Sequence, residues 1–260
     1  MIVKVGRMET HFVSGDVSIR YKDLGDGPVV ILVHGFTGNS ENWTALQEDL
    51  ARTHRVVALD CRGHGLSDKP DDYGLAMVTD LVGLMDYLAI KHATLVGYSM
   101  GAEIVLRTVV EYPDRVDAVV AAGSGWSGSA DEANYLSLGK SLESSGSFGP
   151  MLENAWPEGQ APSMEDIAAV DALLEGNDVM ALAKVAASMG EIINLTEAAV
   201  RDISVPTLAI TGEFDAERAN LEKMQGIVLD LELVVIPGAD HMGAFMHSDF
   251  ANSVKRFLTG

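Results

Sequence analysis

Apolar residues in the first half of the chain occur in short, nearly continuous runs rather than in alternation with polar residues. These runs are rich in β-branched side chains: VVILVHG at residues 29–35, RVVALD at 55–60, ATLVG at 93–97 and VDAVVAAG at 116–123. Runs of this length and composition are typical of strands buried on both faces of a sheet. The pattern therefore predicts parallel strands in the core of an α/β protein.

The segments between these runs have the period of amphipathic helices. We predict helices near residues 41–51, 75–90 and 100–111. Strands that alternate with helices form βαβ units, which assemble into a mostly parallel sheet flanked by helices. Residues 8–27 instead alternate polar and apolar positions and end in a glycine turn, which predicts an antiparallel hairpin at the sheet edge.

The pattern changes in the second half of the chain. Residues 126–196 show helical periodicity, Gly and Pro punctuation at GSFGP and WPEGQAP, and no convincing strand. Strand-like runs return at residues 205–212 and 231–238, and each is followed by a helical pattern. We therefore expect an α/β core formed by residues 1–125 and 197–260, with a helical cap insertion at residues 126–196.

One serine lies between two glycines directly after the third run, in the stretch GYSMG at residues 97–101. A strand, a sharp turn with serine at its apex and a helix that begins at once form a nucleophile elbow. Here residues 93–97 are the strand, Ser99 is the apex and MGAEIVLRTVVEY is the helix. Because a serine hydroxyl is a weak nucleophile by itself, this hypothesis requires a base elsewhere in the chain.

Two late loops supply a candidate acid and a candidate base. In hydrolases with such an elbow the chain order is Ser, then Asp or Glu, then His. TGEFDAE places Asp215 after one late strand, and PGADHMG places His241 after the next. We therefore predict Ser99, Asp215 and His241 as a catalytic triad. Neighbouring side chains of the same types remain as alternatives: Glu213, Asp240 and His247.

The oxyanion that forms during serine attack needs two N–H donors. The amide of Met100, the residue after the candidate nucleophile, would give one from the start of the helix. The stretch VHGFTGN would give the other, because Gly35 allows close backbone approach and the amide of Phe36 follows it. We predict the backbone N–H groups of Phe36 and Met100 as the oxyanion hole.

The chain resembles the α/β-hydrolase family, in particular its small capped serine hydrolases that include carboxylesterases. Five motifs in order carry the resemblance: HGFTGNSENW, LDCRGHGLSDKP, GYSMGAE, VPTLAITGEFD and GADHM. The sequence departs from the family pattern at Ala102 and at residues 216–218. The resemblance implies Ser99 as nucleophile, His241 as base and Asp215 as acid, with neither a metal nor an organic cofactor.

Residues near the triad predict the character of the substrate pocket. We expect Gly35, Phe36, Met100, Trp126 and Met242 to bind the substrate. A mainly apolar pocket of this kind accepts acyl or alkyl groups. The hypothesis is therefore hydrolysis of small to medium carboxylic esters through an acyl-enzyme intermediate.

Other functions are compatible with the same residues. C–C bond hydrolysis, lactone hydrolysis, acyl transfer and perhydrolysis share the triad, and a fold does not decide among them. A ligand-binding receptor with slow turnover is an alternative of another class. Haloalkane dehalogenases and epoxide hydrolases of the family fit less well, because they use an aspartate nucleophile where this chain has Ser99.

The net charge of the chain limits the classes of molecule that it is expected to bind. The 260 residues include 38 acidic and 18 basic ones, which gives a formal net charge of −20. Such a surface repels phosphate backbones and anionic membranes, so we expect no nucleic acid partner and a neutral or cationic small molecule as substrate. No apolar run is long enough to span a bilayer and no secretory signal is visible, so we expect a cytoplasmic location. The sequence leaves the oligomeric state open.

Other polar residues that could bind a metal or react are better explained structurally. Cys61 is the only cysteine, so the chain forms no internal disulfide. His34 and His64 lack metal-ligand spacing, and we predict that both hydrogen-bond turn backbones. Asp60 and Arg62 are expected to brace the same loop. No metal site is predicted.

Overall fold

An eight-stranded sheet forms the centre of the computed structural model, which describes residues 8–155 and 161–260. The spatial order of the strands is β1-β2-β4-β3-β5-β6-β7-β8. Their bounds are β1 (Met8–Ser14), β2 (Val17–Leu24), β3 (Val29–Val33), β4 (Arg55–Leu59), β5 (Ala93–Tyr98), β6 (Val116–Ala122), β7 (Thr207–Gly212) and β8 (Leu231–Ile236). The pairings β1–β2 and β2–β4 are antiparallel and the others are parallel, so the predicted mostly parallel α/β sheet is confirmed.

The N-terminal hairpin forms as predicted. β1 and β2 pair over the full length of β1, and a two-residue turn connects them. Gly15 in this turn has φ +64°, a left-handed conformation that glycine adopts without a steric penalty. The buried side chains of Ile19 and Tyr21 join the core, so the hairpin closes one edge of the sheet.

Helices connect the strands and cover the sheet. Their bounds are α1 (Thr44–Leu50), α2 (Leu75–Tyr87), α3 (Met100–Glu111), α4 (Glu132–Ser145), α5 (Gly149–Ala155), α6 (Met164–Asp171), α7 (Val179–Ser188), α8 (Gly190–Ile193), α9 (Glu197–Arg201), α10 (Arg218–Gln225), α11 (His241–Met246) and α12 (Ser248–Thr259). The helix predicted near residues 41–51 divides into a 3₁₀ turn at Ser40–Trp43 and α1. The other two early helices lie where the periodicity predicts them.

Two hydrophobic clusters lie on opposite faces of the sheet. Along β3, Ile31 and Val33 belong to one cluster, whereas Val30 and Leu32 belong to the other, as the alternation of side chains in a strand requires. The first cluster packs against α2, α3 and α10, and the second packs against α1 and α12. Because both faces are covered, the central strands are apolar at consecutive positions, which explains their continuous hydrophobic runs.

The chain between β6 and β7 forms the helices α4 to α9, and no strand occurs among its described residues. These helices have a small hydrophobic cluster of their own around Leu142, Phe148 and Leu182. The indole Nε1 of Trp126 donates to the carbonyl of Leu195 at 2.8 Å, which joins the beginning of this segment to its end. The division into a core and a cap remains a prediction.

Two stretches that enter the sequence predictions lie outside the described residues. They are the N-terminal residues 1–7, where a secretory signal would begin, and residues 156–160 of the WPEGQAP stretch. Within the described part, none of the helices combines the length and the apolar character required to cross a bilayer.

Candidate active site

Ser99 lies at the turn between β5 and α3 in a strained backbone conformation. Its φ is +54° and its ψ is −122°, and among the described residues Ala89 is the one other non-glycine with positive φ. A Cβ atom on Gly97 would lie 2.1 Å from the carbonyl oxygen of Gly101, and one on Gly101 would lie 2.1 Å from that of Val33. The flanking glycines are therefore required by close backbone contact, and the turn has the geometry of a nucleophile elbow.

The side chains of His241 and Asp215 are hydrogen-bonded to each other. The Nδ1 atom of His241 lies 3.0 Å and 3.1 Å from the two carboxylate oxygens of Asp215. The Asp215 side chain is buried, and it also accepts a hydrogen bond from the backbone amide of Glu217 at 3.0 Å. Contact through Nδ1 leaves Nε2 of His241 available, and both His241 and Ser99 line the same two cavities.

His241 is the first residue of α11, rather than part of a loop as the sequence analysis expected. Asp240 caps this helix, because its side chain accepts a hydrogen bond from the amide of Gly243 at 2.7 Å. Among the described residues, no hydrogen bond joins the Ser99 hydroxyl to His241. In unliganded active sites such bonds are often long, and they shorten when substrate binds.

Two opposing effects determine the pKa of His241. Burial by itself lowers the pKa, but the hydrogen bond and the negative charge of Asp215 outweigh it, so the pKa lies above the ordinary value of 6.5. The imidazolium form is therefore stabilised by its carboxylate partner. A base of this kind is well suited to accept a proton during a reaction.

The alternative acids and base from the sequence analysis make other contacts. Glu213 accepts a hydrogen bond from the amide of Gly238 at 2.8 Å, and Asp240 caps α11. His247 lies at the start of α12, where Nδ1 accepts from the amide of Asp249 at 3.1 Å. None of the three lines the cavities at Ser99.

The turn that carries Phe36 is held next to Ser99. A Cβ atom on Gly35 would lie 3.4 Å from Cβ of Ser99, so the backbone passes directly beside the serine. The amide of Gly38 donates to the carbonyl of Gly35 at 2.9 Å, which closes the turn. No acceptor for the amide of Phe36 occurs among the described residues. This N–H is therefore free to bind an oxygen at the serine.

Two buried histidines support this turn, as the sequence analysis predicted. His34 contacts the carbonyl of Gly35 through Nδ1 at 2.7 Å and accepts the amide of Cys61 on Nε2 at 3.0 Å. His64 lies 2.6 Å from the carbonyl of Phe36 through Nε2. Burial lowers the pKa of His34 and lowers that of His64 to about 3, so both rings are neutral at pH 7.

A first cavity of about 370 Å³ opens on one side of Ser99 and His241. Apart from these two residues its wall is mainly apolar, and we call it the apolar cavity: Phe36, Phe148, Met151, Val170, Leu173, Met242, Phe245 and Met246. Met242 and Met246 are exposed at its rim. Walls of this kind bind hydrocarbon groups through burial of apolar surface.

A second cavity of about 390 Å³ opens on the other side of the same two residues. Its wall is rich in carboxyl groups and hydroxyls, and we call it the acidic cavity: Glu103, Ser124, Asp131, Asn134, Tyr135, Asp215 and Glu217. Among the described residues that line the two cavities there is no lysine or arginine. Apart from His241, the described residues of the two walls therefore offer no cationic side chain to an anionic substrate.

Glu103 is the buried acid of this second cavity. Its two carboxyl oxygens accept hydrogen bonds from the hydroxyls of Ser124, at 2.9 Å, and Tyr135, at 2.6 Å. Burial raises the pKa of Glu103 to about 8, more than these bonds lower it. The carboxyl group is therefore largely protonated at pH 7. Burial likewise raises the pKa of Glu217, and the charges of Asp131 and Asp215 add to this increase.

Two residues predicted to bind substrate lie elsewhere. The side chain of Trp126 lines neither cavity, because its indole points away to its hydrogen bond with Leu195. The side chain of Met100 is fully buried in the hydrophobic core behind the elbow. The prediction is therefore corrected for both side chains, whereas Gly35, Phe36 and Met242 do line the apolar cavity.

Sequence reasoning missed Tyr98 and Glu103. Tyr98 immediately precedes the serine, and the structure places it in the wall of the apolar cavity. Glu103 is four residues after Ser99, and such a spacing puts two residues on one face of a helix. An acidic residue on this otherwise apolar face was the available signal.

The surroundings of the cysteine and of the polar residues near it are those of structural residues. Within residues 8–155 and 161–260, no group of three or more His, Cys, Asp or Glu side chains is arranged to hold a metal ion. Cys61 is buried, and burial raises the pKa of its thiol well above the usual range, so the reactive thiolate is disfavoured. Arg62 forms a two-pronged ion pair with Asp80 at 2.6 Å and 2.7 Å, which braces the adjoining loop.

Comparison with known proteins agrees with this geometry. Residues 28–148 match the alpha/beta hydrolase fold family. The 2-(acetamidomethylene)succinate hydrolase of Mesorhizobium japonicum is 31% identical over 271 residues, covering 89% of each chain. The chain therefore belongs to the α/β-hydrolase family. Within this family, the protein is a hydrolase enzyme.

Solved structures show the same fold. The crystal structure of E-2-(acetamidomethylene)succinate hydrolase gives a TM-score of 0.75 at 26% identity and covers 98% of this chain and 100% of that one. A thermophilic esterase from Thermogutta terrifontis gives a TM-score of 0.77 at 23% identity, covering 98% of both chains. The second likeness concerns the fold alone.

Proposed function

We propose that this protein is a serine hydrolase that cleaves carboxylic esters through an acyl-enzyme intermediate. One observation carries the proposal: a strained serine at an elbow shares two cavities with a histidine that is hydrogen-bonded to a buried aspartate. In this reaction Ser99 attacks the ester carbonyl, and His241 takes its proton and returns it to the leaving alcohol. Asp215 orients the imidazole and stabilises its charged form. Water then repeats the cycle on the acyl-enzyme.

The amides of Phe36 and Met100 are the proposed oxyanion hole. The free Phe36 N–H beside Ser99 and the position of Met100 at the start of α3 support this role. One such donor stabilises the transition state by about 3 kcal/mol. His34 contributes by contacting the carbonyl of Gly35, which shares one peptide plane with the N–H of Phe36, so that this N–H keeps its direction.

The walls of the two cavities favour an uncharged or cationic ester. The apolar cavity suits a hydrocarbon group, and the acidic cavity suits a group that donates hydrogen bonds. A carboxylate on the substrate would lie near Asp131 and Glu217, with no lysine or arginine as a partner among the described residues of this wall. The succinate in the name of the Mesorhizobium japonicum relative therefore fits this site poorly, and we assign a different substrate class to this chain.

Hydrolysis of p-nitrophenyl esters with acyl chains of two to sixteen carbons tests the reaction. We expect turnover by the native protein and a loss of about 10⁴-fold or more in Ser99→Ala, because the nucleophile is removed. Ser129→Ala changes an exposed serine outside both cavities and is the matched control. Negligible turnover by the folded native protein would reject the ester hypothesis in favour of C–C bond hydrolysis, lactone hydrolysis or slow-turnover ligand binding.

Three esters whose acyl groups share a four-carbon chain test the charge preference. The acyl groups are butanoyl, 4-(trimethylammonio)butanoyl and succinyl, all as p-nitrophenyl esters. We expect kcat/KM for the succinyl ester to be at least about tenfold below that for the butanoyl ester, as like charges at short range cost more than 1.4 kcal/mol. Equal values for the anionic and neutral esters would contradict the proposal. The cytoplasmic location and a single small-molecule partner remain predictions.

A further inference from the structure

Tyr98 connects the turn of Ser99 to the backbone of His241. It is the last residue of β5, the residue is 5% exposed, and its hydroxyl donates a hydrogen bond to the carbonyl of His241. The two rings also pack against each other, with their centroids 5.4 Å apart. The residue before the proposed nucleophile is therefore attached to the proposed base.

The surroundings of Tyr98 fix its direction. Its ring packs edge-on against Phe245 at 4.7 Å and against Phe250 at 5.7 Å. A Cβ atom on Gly123 would lie 2.8 Å from the Tyr98 ring, so this glycine leaves the space that the ring fills. Burial raises the pKa of Tyr98, and the charge of Asp215 adds to this increase, so the hydroxyl is protonated at pH 7 and can donate a hydrogen bond.

His241 needs such a second attachment because its own helix is short. α11 has six residues, and His241 is its first residue, where the preceding loop would otherwise determine the backbone position. Asp215 holds the imidazole ring at Nδ1, and Tyr98 holds the backbone at the carbonyl. His241 is therefore held at two points, at its ring by Asp215 and at its backbone by Tyr98.

We infer that Tyr98 is a positioning residue for the base: its hydroxyl sets the place of His241 relative to Ser99 and Asp215. The inference rests on the proposed function, since it concerns the same site. Loss of the hydroxyl lets the imidazole move away from the carboxylate and from the serine. The pKa of His241 then falls towards its ordinary value, and proton transfer slows.

Tyr98→Phe tests this inference, because it removes one oxygen atom and keeps the ring. We expect kcat for p-nitrophenyl butyrate to fall about tenfold while KM stays within twofold, as positioning acts on the reacting atoms rather than on substrate binding. The pKa of His241, followed by NMR of the imidazole and assigned with His241→Gln, should fall by about half a unit or more. A role in packing alone would change neither the pKa nor kcat per active site.

Two matched variants separate the hydroxyl from the ring. Tyr73→Phe removes a buried hydroxyl that has no partner among the described residues, and we expect unchanged kcat and His241 pKa. Phe250→Leu disturbs the packing on Tyr98 and keeps its hydroxyl, so the pKa of His241 should remain unchanged even if stability falls. A lowered pKa in Phe250→Leu would assign the effect to packing and overturn the inference.

The outcomes distinguish this inference from the proposed function. If the native protein hydrolyses esters and Tyr98→Phe matches it in kcat and in the pKa of His241, the inference is wrong and the proposed function stands. If the native protein hydrolyses no ester, the proposed function fails, and the NMR titration still decides whether Tyr98 holds the imidazole. Should Tyr98→Phe not fold, the result with Phe250→Leu decides, because it separates packing from hydrogen bonding in the folded protein.

Discussion

The apolar cavity and the acidic cavity meet at Ser99, have nearly the same volume and differ in chemistry. The first has a wall of aromatic, methionine and aliphatic side chains, and the second has a wall of carboxyl and hydroxyl groups. In the proposed function, polarity rather than size therefore decides which part of a substrate enters which cavity. The comparison teaches that two cavities of similar size beside one serine can present unlike surfaces to the two sides of a substrate.

The segment between β6 and β7 contributes to both walls. Phe148 and Met151 line both cavities, whereas Val170 lines the apolar one and Tyr135 the acidic one. The two proposed reactive residues, by contrast, lie on core elements. Changes at the shared centre should affect both cavities equally, and changes in one wall should affect one half of the substrate.

Asp215→Asn should have the largest effect, because it acts on the shared centre. We expect kcat to fall about 10⁴-fold for every ester, since an amide favours the wrong tautomer of the imidazole. The pKa of His241 should fall, because the hydrogen bond and charge that raise it are weakened, and residual activity should then persist to lower pH. The pH profile of kcat/KM measures this. Glu213→Gln, at the alternative acid, is the control and should retain native activity.

The double variant Asp131→Asn and Glu217→Gln should reduce the discrimination against the anionic ester. We expect kcat/KM for the succinyl ester to rise about tenfold while that for the butanoyl ester changes less than threefold, because the repelling carboxylates become neutral amides. The ratio of the two constants is the measurement. An unchanged ratio would show that the acidic cavity does not face the substrate.

Val170→Phe should act on the apolar cavity alone. Val170 lines that cavity from α6, and a phenyl ring there shortens the space for an acyl chain. We expect kcat/KM for long-chain esters to fall about tenfold relative to the acetate, measured across the p-nitrophenyl series. Ala168→Phe places the same ring on an exposed position of α6 and should leave the chain-length profile unchanged. If the two variants have the same chain-length profile, the apolar cavity does not bind the acyl chain.

Glu103→Gln should give the smallest effect, a change of stability with pH. The pKa of Glu103 is raised to about 8 in the folded protein, so its stabilising contribution is complete below about pH 4.5 and is lost as the pH rises through about 8. Glutamine does not titrate. The free energy of unfolding of the variant, relative to that of the native protein, should therefore increase by roughly 1 to 3 kcal/mol between pH 5 and pH 9, as measured by urea unfolding. Glu111→Gln, an exposed position of α3, should show no such gain.

The sequence predicts the sheet and the order of the candidate triad well, and it predicts side-chain directions poorly. The continuous apolar runs became β3 to β6 because burial on both faces leaves a periodicity signal. The positions of Trp126 after a strand and Met100 after the serine predict that both line the pocket, but tertiary packing turns both side chains away.

The acidic cavity could not be predicted from local patterns either. Its wall combines side chains from α3, α4 and the loop after β7, which are far apart in sequence. Besides Asp215, which the motif TGEFDAE predicts, Glu103 carries a local signal, because it follows Ser99 by four residues. Polar groups that come together from distant segments can be identified once the three-dimensional packing of the chain is known.

The hydrogen bond between Trp126 and Leu195 has a consequence for how such an enzyme changes over evolution and in the laboratory. Because this bond joins the two ends of the intervening segment, we expect changes of length in its middle part to leave β6 and β7 in place. Helix α7 packs into the main hydrophobic cluster and has to be retained, whereas α5 and α6 carry the residues Met151 and Val170 of the cavity walls. In the proposed function, a few residues of this middle part would therefore change the choice of substrate while Ser99 and His241 keep their places.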